Sequence, residues 1–393
     1  MMKILHLFDF FTPLGGGVVD VVYKLSDIQA RRGHDVTIFT SDDRLDTGYI
    51  ASLPNVKVHT FHCLLNLAGF YIIPGTIKAI RGSIKNFDIL HVHGARTFQN
   101  IVARHYAKKY GIPYILHAHG SLVRSAHGNK ELKWYLKWLF DVFWGYRIYR
   151  DATMVIALNE FGVREYESFG IARDKIAVIP LFFNAEEFEK LPAAGEFRLK
   201  HDIREKHIIM SMGRIHWIKG LDFLVNSFYE LSKLRNDVIL VIVGGDDGYK
   251  AVLEKQVKSL GLSGKVLFPG FLSGQDKHSA LLDADIVVQP SRYEQTAWAP
   301  IEAVMCGTPI IVSKNTGSGE VVEKMGAGYT VDYGDTKQMV ATVQSVLDDP
   351  SEAKTRVKAG IDYVYANLIL DKNIEEYDRL YRECIEKARR KKV

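Results

Sequence analysis

Short apolar runs alternate with amphipathic stretches along the chain, and the alternation occurs in two successive rounds. The first round opens with the run at 3–8 and continues with Val18, Val22 and Leu25 near helical spacing, before Gly33 marks a helix end. Further apolar runs predict strands at 36–40, 89–92, 114–118 and 154–157. Strands that alternate with helices are typical of a parallel, doubly wound α/β sheet.

The second round begins near residue 207. Its apolar runs predict strands at 207–211, 238–243, 266–268, 286–288 and 309–313. We therefore predict an N-terminal Rossmann-like domain at 1–185, a linker at 182–199 and a second Rossmann-like domain at 200–370, followed by one long charged helix at 371–393. Open α/β sheets bind ligands beyond the carboxyl ends of their strands, so we expect the site in a cleft between the two domains.

Composition narrows the class of protein. At 393 residues, the chain exceeds what one hydrophobic core usually serves, which supports two domains. A hydrophobic content of 47% with 25% charged residues is ordinary for a soluble globular protein and argues against disorder and against a polytopic membrane protein. No apolar run is long enough to span a bilayer. Asp9 interrupts the first run, so we interpret 1–17 as a first strand rather than a signal peptide.

Cysteine usage and charge favour a cytoplasmic protein. Cys63, Cys306 and Cys384 are an odd, scattered set, which indicates a reducing compartment and gives no cysteine metal site. The net charge of +5 is mild and no nucleic-acid motif accompanies it, so we expect no nucleic-acid partner.

Two acids, Glu294 and Glu302, stand either side of seven residues and precede a Cys-Gly-Thr-Pro sequence and an apolar run. Pro300 suits the first position of a helix, which would place Glu302 in the first turn and Glu294 in the preceding loop. Taken singly, the first acid fits a solvated loop charge and the second an acid favoured by the helix dipole. As a pair they are more specific. A diphosphate would repel carboxylates, so we expect both acids to accept hydrogen bonds from hydroxyl groups.

Two cations, Arg214 and Lys219, follow the run at 207–211, with Gly213 and Gly220 beside them. Each alone could be a surface charge at a helix entrance. Together they are suited to a diphosphate, since fixed cations stabilise the negative charge that grows on such a leaving group.

With these motifs, the chain resembles the retaining glycosyltransferases of family 4, and the resemblance covers nearly its whole length. It implies the GT-B fold, in which two Rossmann-like domains face each other across a cleft and the last helix crosses back to the N-terminal domain. It also implies a nucleoside-diphosphate sugar donor of the UDP or GDP type, no cofactor, and transfer with retained anomeric configuration to a glycan or lipid-linked acceptor, in the synthesis of cell-envelope polysaccharide or glycoconjugate.

The resemblance assigns roles in the second domain. Arg214 and Lys219 would bind the diphosphate, Glu302 the ribose diol, and Glu294 the hydroxyls of the donor sugar. Arg214, Lys219 and Glu294 would also be catalytic. The loop between the acids would bind the donor through Thr296, Ala297 and Trp298, and backbone groups around Phe271 and Leu272 would bind the base. The chain departs from the family here, because an aromatic and a glycine usually stand at 296 and 297, which leaves the donor sugar open.

In the first domain, Gly16 and Gly17 belong to a triple-glycine turn that leads into a helix. Such a turn lets backbone approach phosphate, although an ordinary strand-to-helix turn has the same sequence. The resemblance places this turn near the donor phosphates and the acceptor, so we expect Gly16 and Gly17 to bind the donor. His119 follows a strand, and the resemblance places it against the donor sugar as a catalytic residue. The alternative is a structural strand-end histidine. We expect His91 and His93 to be either structural or on the acceptor side.

We expect no metal. No histidine, cysteine or aspartate group has metal-ligand spacing, and nothing marks Asp246–Asp247 as a metal-binding pair. A cationic Arg/Lys site can take the place of a divalent ion, so we predict metal-independent activity.

The stretch at 130–147 holds three of the five tryptophans and places lysines three and four residues apart. This pattern fits a helix lying on the inner face of the membrane, and equally an amphipathic helix that covers the domain core.

Two rival functions also stay open. An epimerase of the same fold would convert the donor without an acceptor, and a non-catalytic glycan- or lipid-binding module would ignore nucleotide.

Overall fold

The computed structural model describes residues 1–13, 16–67, 69–123 and 132–390. These residues divide into two compact units. The first comprises the described residues up to 182 together with 371–390, and the second comprises 183–370. Most of the last helix therefore belongs to the first unit, although it follows the second unit in sequence. The predicted linker at 182–199 falls in the second unit except for its first residue.

The described residues of the first unit form a seven-stranded parallel sheet and a separate hairpin. The strands are β1 (Lys3–Leu7), β2 (Asp35–Ser41), β3 (Lys57–Phe61), β4 (Leu65–Leu67), β5 (Phe70–Ile72), β6 (Ile89–His93), β7 (Tyr114–His117), β8 (Met154–Ala157) and β9 (Ile176–Val178). The sheet has the order β3-β2-β1-β6-β7-β8-β9, and β4 pairs antiparallel with β5.

Helices accompany this sheet. They are α1 (Gly17–Arg31), α2 (Thr47–Ala51), α3 (Gly75–Ser83), α4 (Phe98–Tyr110), α5 (Leu132–Phe140), α6 (Tyr146–Asp151) and α7 (Glu160–Ser168). A π-helical segment, Asp141–Gly145, joins α5 to α6, and 3₁₀ turns lie at Ile84–Asn86 and Arg173–Lys175.

In the second unit, a six-stranded parallel sheet has the order β12-β11-β10-β13-β14-β15. Its strands are β10 (His207–Met212), β11 (Val238–Val243), β12 (Val266–Gly270), β13 (Ile286–Gln289), β14 (Ile310–Ser313) and β15 (Tyr329–Val331). Its helices are α8 (Glu196–Lys200), α9 (Leu221–Leu234), α10 (Lys250–Ser259), α11 (Gly274–Asp283), α12 (Trp298–Met305), α13 (Gly317–Met325), α14 (Thr336–Asp348) and α15 (Pro350–Asn367), with 3₁₀ turns at Ala185–Phe188 and Trp217–Lys219.

The last helix, α16 (Leu370–Arg390), packs within the first unit. Its buried side chains recur every three or four residues, as Ile374, Tyr377, Tyr381 and Cys384. This spacing makes one apolar stripe along a helix that is otherwise charged, as the sequence predicted for 371–390.

These two sheets confirm the predicted α/β class. Central strands are largely buried because helices cover both faces, and all six residues of β11 are apolar and buried. Strands β3, β9 and β15 were not predicted. All three lie at a sheet edge and are only partly buried. Strands β3 and β15 mix apolar with polar residues, whereas β9 is an apolar run of only three residues that was not assigned to a strand.

Each sheet has one place where its strand order reverses. In the first unit, β1 lies between β2 and β6, and in the second, β10 lies between β11 and β13. The loops beyond these switch points are where doubly wound sheets bind ligands.

Candidate active site

In the second unit, the switch point is built around close backbone contacts. Gly213 and Gly244, which follow β10 and β11, both have φ near 150°. A Cβ atom on Gly244 would lie 1.8 Å from the carbonyl oxygen of Gly213, so a side chain cannot be accommodated there. The resulting recess is lined by Gly213, Arg214, Lys219 and Gln289, among others.

Lys219 and Glu294 meet at this recess. The Lys219 ammonium forms an ion pair with Glu294 Oε2, and the two side chains are only 15% and 16% exposed. The Ser291 hydroxyl also donates to Glu294 Oε2, at 3.4 Å. The structure thus brings together a cation predicted to bind the diphosphate and an acid predicted to contact the sugar. An anion that binds Lys219 would free the carboxylate of Glu294 for hydroxyl groups.

Arg292 fixes the loop that carries Lys219. Its guanidinium donates to both carboxylate oxygens of Asp222, at 2.8 and 2.5 Å, and stacks 4.3 Å from the centre of the Trp217 ring. Gly220 has φ +66°, and a Cβ there would lie 2.0 Å from the Pro290 carbonyl oxygen. The sequence reasoning missed Arg292, since its partners lie about seventy residues away and no local pattern marks it.

Arg214 lies at the rim of the recess. It forms an ion pair with Asp247, and the Arg214 side chain is 63% exposed. The neighbouring Asp246 carboxylate accepts hydrogen bonds from the backbone of Lys250, Tyr249 and Gly248, which holds its pKa below the usual range. Both aspartates are therefore engaged by groups of the protein.

Glu302 lies two residues further into its helix than predicted. Helix α12 begins at Trp298 rather than at Pro300, because the first turn of a helix leaves its N–H groups unpaired and so tolerates proline there. The Glu302 carboxylate accepts a hydrogen bond from the Lys277 ammonium of α11 at 2.8 Å. Lys277 was also missed, because only the packing of two helices brings the pair together.

The loop from Glu294 to Trp298 is held by the start of α13. The Ala297 amide donates to the Ser318 hydroxyl at 2.8 Å, and the Gly317 amide donates to the Glu294 carbonyl at 2.8 Å. The Trp298 ring packs edge-on against Phe183, with 4.6 Å between ring centres. The Thr296 hydroxyl donates to the Gln295 carbonyl at 2.6 Å. The Ala297 amide is thus directed at Ser318, and the donor-binding role of Thr296, Ala297 and Trp298 stays a prediction.

Phe271 and Leu272 follow β12 at the same edge of the sheet. Gly270, with φ +90°, turns the chain there, and its carbonyl accepts from the Gly244 amide at 2.8 Å. The Phe271 side chain is 58% exposed. An exposed aromatic ring at this edge of the sheet is suited to stacking against a nucleotide base.

In the first unit, Gly16 and Gly17 begin helix α1 beyond the end of β1. Gly16 has φ +72°, and its carbonyl accepts from the amides of Val19 and Asp20. The helix start carries no side-chain cap. Gly15, the first glycine of the triple, lies outside the described residues.

His119 is held in a left-handed conformation, with φ +49°, just after β7. Its Nε2 lies 2.9 Å from His93 Nδ1, and its ring stacks on His117 with 3.6 Å between centres. Burial lowers the pKa of His119 to about 3, so the imidazole is neutral at physiological pH. No link between His119 and His93 was evident from the sequence, and the structure places them in one cluster with His117, His6 and His91.

Among the described residues, two histidine groups have ring nitrogens close enough to hold a transition metal: His6, His91 and His93, and His93, His117 and His119. In each group, these nitrogens lie within 4.8 Å of one another. Sequence spacing gave no sign of either group, because each combines residues from two adjacent strands, with His119 just after β7 in the second group. Several of these nitrogens are instead hydrogen-bonded to one another or to neighbouring side chains, and the predicted absence of a metal stays a prediction.

An aromatic surface covers part of the first unit. In α5, the π segment and α6, the exposed apolar side chains are Tyr135, Leu136, Trp138, Leu139, Val142, Phe143, Trp144 and Tyr146, each 40% to 56% exposed. We call this set the aromatic ridge. Phe140 is buried in the core beneath it, so the segment also covers the domain as the alternative interpretation expected. Residues 130 and 131 of the predicted stretch lie outside the described residues.

The hairpin of β4 and β5 extends this surface. Leu65 and Leu67 are 47% and 58% exposed, and Phe70 contacts Phe140 with 5.9 Å between ring centres. No helix in the described part of the chain has the length and apolar character needed to cross a membrane.

Comparison with known proteins agrees with this architecture. Residues 15–187 match the family model described as Glycosyltransferase Family 4, and residues 195–362 match Glycosyl transferases group 1. An uncharacterised glycosyltransferase of Methanocaldococcus jannaschii is 25% identical over 94% of this chain and 95% of its own length. The 2-deoxystreptamine glucosyltransferase of Streptomyces kanamyceticus is 28% identical over 50% of this chain, and the match spans 51% of that relative.

A solved structure shares the fold. Anabaena HepE, in complex with UDP and glucose, superimposes with a TM-score of 0.80 at 17% identity and covers 98% of this chain and 100% of its own. Two doubly wound units, matched in turn by these two models, define a glycosyltransferase of the GT-B fold. The chain belongs to glycosyltransferase family 4, group 1.

Proposed function

We propose that the protein transfers a sugar from a nucleoside-diphosphate donor to a glycan or lipid-linked acceptor, with retention of anomeric configuration. The observation that carries the proposal is the Lys219–Glu294 pair at the switch point of the second unit. A cation poised at this edge is suited to a diphosphate, and the carboxylate beside it is suited to the hydroxyls of the attached sugar.

Each residue has a part in the proposed reaction. Lys219 and Arg214 exchange their carboxylate partners for the diphosphate, and stabilise the charge that grows on it as the anomeric C–O bond breaks. The new bond to the acceptor oxygen forms on the same face of the sugar, and the acceptor proton passes to the leaving phosphate. Glu294, released from Lys219, accepts from a sugar hydroxyl. Glu302, oriented by Lys277, accepts from the ribose diol.

Two observations support a proposal for the base of the donor nucleotide. HepE, with the same fold, was crystallised in complex with UDP and glucose, and the exposed Phe271 ring is suited to stacking on a base. UDP is therefore the first nucleotide to test, with GDP as the alternative.

The test is a thermal-shift series with UDP, GDP, ADP and CMP in EDTA. A ligand that binds the folded state raises its stability, so one diphosphate at millimolar concentration should raise the melting temperature, and its base names the donor. Stabilisation without divalent ions would support metal independence. No shift with any of the four would count against the nucleotide site and leave a binding module as the better hypothesis.

The epimerase alternative is separated by product. The protein is incubated, without an acceptor, with sugars linked to the nucleoside diphosphate that stabilises it. We expect these donors to stay unchanged apart from slow hydrolysis. Formation of an epimeric donor, resolved by chromatography, would contradict the transferase proposal.

We further propose that the protein associates with the membrane surface through the aromatic ridge and the β4–β5 hairpin. The ridge exposes two tryptophans and a phenylalanine next to Arg147, which is also exposed. Aromatic and basic side chains together suit the interface of an anionic bilayer. A lipid-linked acceptor in the synthesis of cell-envelope glycoconjugates would then be met at the inner face of the membrane.

A further inference from the structure

Histidines of the first unit line one face of its sheet. His6 of β1 is the register partner of His91 of β6, and His93 of β6 is the partner of His117 of β7. Register partners in a parallel sheet, and residues two apart on one strand, point to the same face. The four rings are therefore on one side of the sheet, and all four are buried.

A chain of hydrogen bonds runs through this cluster and ends at His119. His119 Nε2 lies 2.9 Å from His93 Nδ1, and His93 Nε2 lies 3.0 Å from His6 Nδ1. His6 Nε2 lies 2.8 Å from the amide oxygen of Gln29, on α1. Gln29 is fully buried, whereas His119 at the other end is partly exposed.

The amide oxygen of Gln29 gives the chain a direction. A carbonyl oxygen only accepts, so His6 must carry its proton on Nε2. A neutral imidazole with Nε2–H has a bare Nδ1, which must accept from His93 Nε2–H. By the same argument, His93 Nδ1 accepts from His119 Nε2–H. The Nδ1 atom of His119 then carries a lone pair. The opposite orientation of the Gln29 amide would reverse every tautomer in the chain.

The chain is neutral at physiological pH. Burial lowers the pKa of His6 to about 4 and that of His93 well below its usual value, with the neighbouring histidines adding to the effect on His93. An amide cannot take up a proton, so the inner end offers no base. The chain is thus suited to fixing a tautomer rather than to conducting protons.

We propose that Gln29, His6 and His93 are positioning residues that hold His119 as a neutral hydrogen-bond acceptor for the donor sugar. The proposal rests on the proposed function, and on the position against the donor sugar that the family resemblance implies for His119. If His119 turns a lone pair rather than an N–H group toward the sugar, the ring can accept a hydrogen bond from a sugar hydroxyl. A lone pair also tolerates the positive charge that develops at the anomeric carbon during glycosyl transfer.

The direct test reads the tautomer in the free protein. ¹⁵N chemical shifts of histidine-labelled protein at pH 7 distinguish Nε2–H from Nδ1–H, and the His119→Gln variant identifies the His119 signal. We expect neutral His119 with the proton on Nε2. A proton on Nδ1, or a charged ring, would overturn the proposal.

The functional test compares two buried glutamines. In Gln29→Met, His119 should show mixed tautomers, and kcat should fall about three- to tenfold, the equivalent of one hydrogen bond, while KM for the donor stays unchanged. Gln99→Met is the matched control, since Gln99 is equally buried and donates to the Phe8 carbonyl. If Gln29→Met does not fold, His93→Phe removes the next link and should show the same split.

Equal kcat in the Gln29→Met and Gln99→Met proteins would overturn the positioning role. Failure of the proposed function has a different signature, namely a wild-type protein that no nucleoside diphosphate stabilises. The tautomer measurement needs neither nucleotide nor activity, so the two failures can be told apart.

Discussion

Single residues at the second unit's switch point are held by partners that a ligand must displace. Lys219 is paired with Glu294, Arg214 with Asp247, and Glu302 with Lys277. The first and third pairs are largely buried, where interactions between charges are less screened than at the rim. The diphosphate must therefore compete with a protein carboxylate for Lys219, and the freed Glu294 becomes available only when the donor is bound.

Replacing Lys219 by alanine should reduce turnover more than donor binding. Removing a fixed cation that faces a developing negative charge costs about a hundredfold or more in kcat, because that charge is larger in the transition state than in the bound donor. Initial rates with varied donor give kcat and KM. Lys255→Ala, at an exposed position of α10, is the control. Unchanged turnover would remove Lys219 from the mechanism.

Gly220 should be far less replaceable than a glycine of the same backbone conformation elsewhere. Gly220 and Gly261 have φ of +66° and +69°, but a Cβ clashes with Pro290 and Tyr333 only at Gly220. Gly261→Ala should cost about 1 kcal/mol of unfolding free energy for the left-handed backbone. Gly220→Ala should cost at least about 2 kcal/mol more, because the backbone must move. Urea unfolding measures both, and equal losses would show that the loop yields freely.

At the scale of elements, the aromatic ridge is a helical surface whose apolar side chains stay exposed. Phe140 anchors α5 in the core, while neighbouring side chains on the same segment remain outside it. The β4–β5 hairpin adds apolar surface that sequence did not reveal, because three-residue strands are too short to show a period. Large contiguous apolar patches on soluble proteins commonly mark interaction sites.

Removing two ridge side chains should weaken membrane binding. The Phe143→Ser, Trp144→Ser protein should bind anionic phosphatidylglycerol vesicles about tenfold or more weakly, since each buried aromatic side chain contributes roughly 1.5 kcal/mol or more. Vesicle co-sedimentation measures the affinity. Leu199→Ser, Leu234→Ser, at exposed positions of the second unit, is the control. Equal binding by both double variants would exclude the ridge as the contact.

At the scale of the whole molecule, the C-terminal helix closes the first unit and reaches its histidine cluster. The Tyr381 hydroxyl lies 2.6 Å from His91 Nδ1, and Asp378 lies 3.2 Å from His34 and 3.4 Å from Arg32. Burial alone would raise the pKa of Asp378, but the hydrogen bond from His34 and the charge of Arg32 outweigh it and keep that pKa low. Residues about 290 positions apart thus form one core.

The buried histidines should make the fold sensitive to acid. Burial lowers the pKa of His117, while its unfolded value is about 6.5, so below that pH the unfolded chain binds a proton that the folded chain does not. The free energy of unfolding should then decrease as the pH is lowered below about 6.5, by about 1.4 kcal/mol per pH unit for each such histidine. Urea unfolding at pH 7 and pH 5 should show a smaller loss for His117→Phe than for wild type. The control, His105→Phe at an exposed position, should match wild type.

The apolar pattern and a few charged residues were enough to predict the α/β class, most strands of the two sheets and the candidate site residues. Central strands were predictable because helices cover both sheet faces, and motifs at strand ends marked Lys219, Glu294 and His119 as candidate site residues. Helix α12 was placed two residues late, since proline is tolerated throughout a first turn.

Tertiary structure alone decided which of these residues meet. Lys219 and Glu294 are 75 positions apart, Lys277 and Glu302 lie on separate helices, and the chain from Gln29 to His119 crosses from α1 to β7. Local sequence encodes period and turn chemistry, whereas these contacts depend on strand order and register, which bring distant segments to one edge of a sheet. The sequence determined what chemistry is present, and the order of the strands determined where it acts.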